Sequence, residues 1–118
     1  MKVKDVMHHA ATWIGPDAPL PEVAAHIGAE DVVPISQYDR LIGEVTKRDL
    51  AHRPKALKLT ARDVMHRPII YCYPEEDTRE AFRIMKKHAV RRLPVISHQK
   101  RLIGTVWLDD VKPEARVR

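Results

Sequence analysis

The chain states the same pattern twice, which constrains its fold more than any other feature. Lys4-Asp5-Val6-Met7-His8 returns as Arg62-Asp63-Val64-Met65-His66, and Arg40-Leu41-Ile42-Gly43 with Val45 returns as Arg101-Leu102-Ile103-Gly104 with Val106. The offset drifts from 58 residues at Met7/Met65 to 60 at Pro34/Pro94 and 61 at Gly43/Gly104. Matched blocks with variable joints are two copies of one supersecondary unit. The 118 residues fit one ordinary domain, and a unit of about 60 residues buries too little surface to stand alone, so the copies are expected to pack together. The organisation read from this is a first repeat at 1–53, a linker at 54–60, a second repeat at 61–113 and a tail at 114–118.

Composition removes several classes. Apolar residues are 44% of the chain and charged residues 31%, a balance that supports a packed core rather than disorder. No apolar stretch approaches the roughly 18 residues of a membrane span, and the N-terminus lacks the apolar run of a secretory signal, so the expectation is a cytoplasmic protein with no membrane association. Cys72 is the single cysteine; it permits no intrachain disulfide, and within Tyr71-Cys72-Tyr73 it reads as a buried, inert thiol on a strand. The net charge of +5 points to anionic partners. Nucleic acid is the weakest of these, because Lys47-Arg48, Lys86-Lys87, Arg91-Arg92 and Lys100-Arg101 are dispersed and lack interleaved aromatics or a recognition-helix signature. No metal site and no required cofactor are expected: among seven histidines, His8 and His9 are adjacent and point apart, and no HExxH motif occurs. No nucleophile triad or glycine-rich phosphate loop is present, so the chain does not read as an enzyme.

Each repeat reads as turn, strand, helix, hairpin and helix. In the first, a helical turn at Lys4–Met7 precedes extended Thr12-Trp13-Ile14, a break at Gly15-Pro16-Asp17, and a helix over Pro21–Ile27 ended by Gly28. Val32–Ile35 and Arg40–Val45 flank Ser36-Gln37-Tyr38-Asp39 as a hairpin with a short loop, and a last helix runs from Thr46 through Leu50. The second repeat has a turn at Ala61–Met65, an extended Ile69–Tyr73, and a helix over Thr78–His88. Asp77 or Thr78 caps that helix, and Ala81, Ile84, Met85 and His88 form its inner face beside Phe82. Leu93–Ser97 and Arg101–Trp107 form the second hairpin, and Leu108–Val111 the closing turn. The segment from His52 to about Thr60 reads as a solvated loop. The fold class is α/β, with two βαββα repeats related by a pseudo-twofold axis and packed through their sheets.

This order, with Asp-Val-Met, Leu-Pro-Val-Ile, Leu-Ile-Gly-x-Val and a trailing Asp, resembles a tandem pair of cystathionine-β-synthase-type (CBS) domains, the Bateman module, from about Val3 to Val111. Gly43-Glu44-Val45-Thr46-Lys47-Arg48-Asp49 matches the family's Gly-x-Val-Thr-x-x-Asp. The resemblance implies a sensor that binds an adenosyl ligand, AMP, ADP, ATP or S-adenosylmethionine, in the cleft between repeats, and signals to an effector protein of unknown identity or within a disc-like homodimer. It also implies that Asp49 accepts hydrogen bonds from the ribose hydroxyls, Thr46 bonds the ribose or phosphate region, Thr12, Ile14 and Val33 border the adenine, and Arg91 and Arg92 meet the phosphates. The chemistry is sound apart from the family: a carboxylate is an acceptor-only partner for a diol, and a guanidinium fork matches phosphate oxygens.

A plainer role competes, because Thr46-x-x-Asp49 is also close to a capping box, which needs no ligand. The corresponding set in the second repeat is Ile70, Cys72, Trp107 and Asp110. Trp107 stands there in place of the small hydroxyl residue, either stacking on a base or filling the space, and Glu30-Asp31 occupies the first-repeat position of Arg91-Arg92. One working site on Asp49 is therefore expected, with a weak or occluded second site. The alternatives are a CBS-type dimerisation scaffold with a vestigial site and a basic nucleic-acid-binding protein.

Overall fold

A computed structural model describes residues 1–9, 14–27, 32–51, 58–67 and 70–112. The elements are α1 (Val3–Val6), α2 (Leu20–Ile27), β1 (Val32–Gln37), β2 (Arg40–Thr46), α3 (Lys47–Ala51), α4 (Ala61–Val64), α5 (Thr78–His88), β3 (Arg92–Ile96), β4 (Leu102–Trp107) and α6 (Leu108–Val111). This is a mixed helix-and-strand fold with two small sheets, each built on an antiparallel hairpin, β1–β2 and β3–β4. Thr12, Trp13, Gly28, Glu30 and Asp31 lie outside the described residues, and with them the expected end of α2 at Gly28 and the expected acidic patch.

The chain forms two compact units that are not cut where the sequence repeats are. One comprises Thr12–Ile69; the other joins Met1–Ala11 to Ile70–Arg118. The opening motif of each repeat packs on the hairpin of the other. In the Thr12–Ile69 unit, His66 pairs with Glu44 of β2 by two backbone hydrogen bonds, Glu44 N–H to His66 O at 2.8 Å and His66 N–H to Glu44 O at 3.0 Å. In the other unit His8 pairs with Thr105 of β4 in the same way, at 2.7 and 2.9 Å. On the far side of each hairpin a single parallel bridge adds a further extended residue, Ile14 beside Ile35 and Cys72 beside Val95.

The repeated Met and Gly explain each other through this arrangement. A β-carbon placed on Gly43 would lie 2.6 Å from Met65 Sδ and 3.0 Å from His66 O; one on Gly104 would lie 2.9 Å from His8 O and 3.2 Å from Met7 Sδ. Only a residue without a side chain lets the opening motif lie this close against the strand. The cores follow the same division. Ile14, Val23, Ile27, Val33, Ile35, Val45, Ala61 and Val64 cluster in one unit, and Val3, Ile70, Cys72, Ala81, Met85, Leu93, Val95, Val106 and Val111 in the other.

Helix α5 matches its expected bounds, and Asp77 is the cap: its carboxylate accepts the Arg79 N–H at 2.8 Å. Ala81 and Met85 are buried, but His88 is exposed; it sits in the last turn with Lys86 and Lys87, where positive charge meets the free carbonyls. The first hairpin is tighter than expected. Strand β1 runs on through Gln37, and Tyr38 and Asp39 alone make the turn with φ of 53° and 66°, the left-handed pair of a two-residue loop whose twist suits a hairpin. The end of the linker is structured rather than solvated: Leu20 N–H donates to Leu59 O at 3.2 Å and Ala61 N–H to Ala18 O at 2.8 Å, which seats Leu59 against the core.

Two stability changes are expected. Gly43→Ala forces its new methyl into Met65 and the His66 carbonyl and should lower unfolding free energy by about 1–3 kcal/mol, read from urea melts. Ala89 closes α5 in the left-handed region at φ 57°, where glycine carries no steric penalty, so Ala89→Gly should raise stability by about 1 kcal/mol in the same assay.

Candidate functional site

Strand β2 leads directly into α3, and the junction is a closed hydrogen-bonded turn. Thr46 N–H donates to Asp49 Oδ2 at 2.8 Å, and Asp49 N–H donates to Thr46 Oγ1 at 3.2 Å. This is the reciprocal capping pattern of the plainer reading. It uses one carboxylate oxygen of Asp49, and a second donor converges on the same atom: His66 Nδ1 lies 3.0 Å from Asp49 Oδ2. Because an ionised carboxylate only accepts, the ring nitrogen is the donor. Among the described residues no hydrogen bond reaches Asp49 Oδ1, and the side chain keeps 21% of its surface exposed. The carboxylate is thus pinned through one oxygen and displays the other.

His66 is itself flanked on both nitrogens. Its Nε2 lies 3.9 Å from Oε1 of Glu44, a side chain with 0% exposure, while the imidazole is 35% exposed. Ile14 and Val33, the expected adenine-bordering residues, are buried on the same small sheet. Ile14 bridges Ile35, and Val33 pairs with Val45 one residue before Thr46. The Thr12–Ile69 unit therefore holds Ile14, Val33, Thr46 and Asp49, and in it His66 meets Asp49 and Glu44. Thr12 lies outside the described residues.

Arg91 and Arg92 belong to the other unit, with Ile70, Cys72, Trp107 and Asp110. Arg91 is exposed, and its carbonyl accepts the Leu108 N–H at 2.9 Å at the head of α6. Arg92 stands opposite Trp107 in the ladder and is only 3% exposed; its guanidinium lies over the indole, 5.6 Å from the ring centroid. Burial lowers the pKa of Arg92, though an arginine stays charged, and the indole face offers that charge an attractive partner. Asp110 repeats the Asp49 turn loosely: its Oδ2 accepts the Trp107 N–H at 3.3 Å and meets His8 Nε2 at 3.1 Å. With Trp107 in place of a threonine, no side-chain hydroxyl returns the bond. Ile70 and Cys72 are buried, and burial, aided by the negative charge of Glu76, pushes the Cys72 thiol up to about 12.

The sequence reading assigned no part in the site to His66 or Glu44. The signal was present: a histidine follows each opening Asp-Val-Met, and an aspartate stands four residues after the valine of each Gly-x-Val segment.

A β-hairpin repeated twice, each copy closed by a strand-to-helix turn bearing an aspartate, defines a module of two paired, like units. The chain belongs to the CBS domain family, which it matches over residues 3–55 and 61–111. It is 32% identical to hypoxic response protein 1 of Mycobacterium tuberculosis over 116 residues, covering 92% of this chain and 80% of that protein. The CBS domain-containing protein YhcV of Bacillus subtilis is 29% identical over 115 residues, with 92% and 81% covered. Other relatives are longer: the chain spans 45% of an uncharacterized Methanopyrus kandleri protein and 20% of the inosine-5′-monophosphate dehydrogenase of Thermoplasma acidophilum. Among solved structures, hypoxic response protein I with two coordinated zinc ions superposes with a TM-score of 0.76 at 30% identity, covering 100% of this chain and 99% of that one. A CBS domain pair in complex with 5′-methylthioadenosine and S-adenosyl-L-methionine gives 0.76 at 23% identity, with 94% and 92% covered. CBSX2 in complex with AMP gives 0.76 at 17%, with 93% and 92% covered. The last two likenesses are of fold. Among the described residues no group of three His, Cys, Asp or Glu side chains is arranged to hold a metal ion, and no helix is long and apolar enough to cross a membrane.

Because the thiolate form of Cys72 is suppressed at any ordinary pH, a maleimide added to native protein at pH 8 should leave it unlabelled, while labelling in denaturant goes to completion. Mass spectrometry of the two samples checks this.

Proposed function

We propose that this chain is a non-catalytic regulatory CBS pair that binds an adenosyl ligand, of which AMP, ADP and ATP are the foremost candidates and S-adenosylmethionine the next, with Asp49 as its ribose acceptor. The observation that carries the reading is the Asp49 carboxylate, oriented by two donors on Oδ2 with Oδ1 displayed. Folding has already fixed the group's direction, so a diol meeting it loses little further entropy. Capping and ribose binding use different oxygens and coexist. Two fold relatives whose structures hold AMP, and 5′-methylthioadenosine with S-adenosyl-L-methionine, support the ligand class. Of the two arginines expected to meet phosphate, only the exposed Arg91 stays in that role in this proposal, because Arg92 is buried against Trp107. The bound state would be passed to an effector protein or within a homodimer through the difference in ligand affinity between conformations.

Thermal melts with and without AMP, ADP, ATP and S-adenosylmethionine test the reading. A ligand at 100 times its dissociation constant adds about 2.7 kcal/mol to the folded state, a rise of several degrees for a chain of this size. Asp49→Asn retains an acceptor for the Thr46 cap but loses the charge, and its melting temperature should no longer respond to ligand. Coincident wild-type melts with every adenosyl compound would leave the CBS scaffold reading, in which Asp49 serves the turn alone.

A further inference from the structure

His66 has more fixed neighbours than a packing residue at its exposure needs. Its backbone is locked to Glu44 by hydrogen bonds in both directions. Its side chain stands between two carboxylates, Asp49 at 3.0 Å from Nδ1 and the buried Glu44 at 3.9 Å from Nε2. The counterpart in the other unit differs at each point that bears on orientation. His8 meets Asp110 through Nε2, is 58% exposed, and has Thr105, uncharged and shorter, where His66 has Glu44. The repeat thus conserves the backbone bridge but builds a two-sided cradle around one histidine only.

That cradle bears on what Asp49 can do. The Thr46 N–H alone holds one oxygen at one point, and a carboxylate held at one point can still swing about its terminal torsion, which is soft. A second donor arriving on the same oxygen from a different segment of chain fixes the plane of the group, and with it the direction in which Oδ1 faces. The two backbone bonds to β2 keep the imidazole from following Asp49 if the carboxylate turns, and the buried Glu44 side chain stands close on its other side.

Resting on the ribose-acceptor reading above, we propose that His66 is the positioning residue of the Asp49 site: by donating from Nδ1 to Oδ2 while braced by Glu44, it aims Oδ1 and so sets the preference for a ligand bearing a ribose diol over its deoxy analogue. The residue comes from the opening motif of the second repeat and acts on the acceptor of the first.

The test compares Kd for AMP and for 2′-deoxy-AMP in wild type, His66→Phe and His66→Asn. Wild type should prefer AMP by about tenfold or more, the range of a hydrogen bond to a charged group. His66→Phe keeps the ring volume without a donor; AMP binding should weaken by about tenfold and the preference should fall towards unity. His66→Asn places an amide N–H near the position of Nδ1 and should restore most of the preference, which a merely structural role would not produce. A full preference retained in His66→Phe overturns the proposal. Should the Phe variant not fold, the wild-type imidazole decides: the His66 Nδ1 resonance should shift on saturation with AMP, and an unmoved signal counts against the assignment. Wild-type protein that binds AMP and 2′-deoxy-AMP equally removes the ribose-acceptor reading and this proposal together, whereas a wild-type preference that survives the loss of the donor removes the role of His66 alone.

Discussion

The architecture depends on a pair of two-bond backbone bridges, His66 with Glu44 and His8 with Thr105. Each closes the outer edge of a β-hairpin that would otherwise present unpaired amide groups to water. Each also delivers the preceding methionine onto a glycine so closely that a β-carbon would collide. The bridges cross the sequence repeats. A hairpin from one repeat is completed by the opening segment of the other, and neither repeat as written contains all the chain that its own sheet requires.

The same crossing explains how one chain carries two chemically unequal ends. Duplication supplies the same frame twice, and substitutions at a few frame positions then give each copy its character. At the position between the glycine and the valine, glutamate in one copy and threonine in the other decide whether the neighbouring histidine is flanked on both sides. At the head of the last helix, threonine permits a reciprocal cap, whereas tryptophan takes over the space and stacks against a buried arginine. A buried guanidinium is costly unless its charge is met, and the indole face beneath Arg92 is one of the groups that meet it. At the Asp110 end the indole thereby covers the arginine, while at the Asp49 end the described hydrogen bonds all fall on one carboxylate oxygen.

Much of this was legible in the residues. The two hairpins, helix α5 and the strand-to-helix turns follow from β-branched runs, helical spacing and capping residues, all of which act within a few positions of one another. The family likeness rested on the same local blocks. The exchange of opening segments was not legible, because pairing through a single residue leaves no periodicity and the partner lies tens of residues away. The tight first hairpin was missed because Tyr38 and Asp39 take left-handed conformations without a glycine to announce them. The burial of Arg92 does not show locally, because a charged residue reads as exposed until the ladder register sets it opposite Trp107. The place of His66 does not show in the sequence, because packing alone explains the repetition of a histidine there.

Crossed bridges also tie inheritance together in a crossed way. Residue 66 touches residue 49, and residue 8 touches residue 110, so each contacting pair draws its members from different copies of the duplicated unit. Recombination that replaced one copy wholesale would separate every such pair at once, leaving each aspartate facing a histidine that had evolved beside another. The two halves are coupled residue against residue, each copy holding one member of every such histidine–aspartate pair.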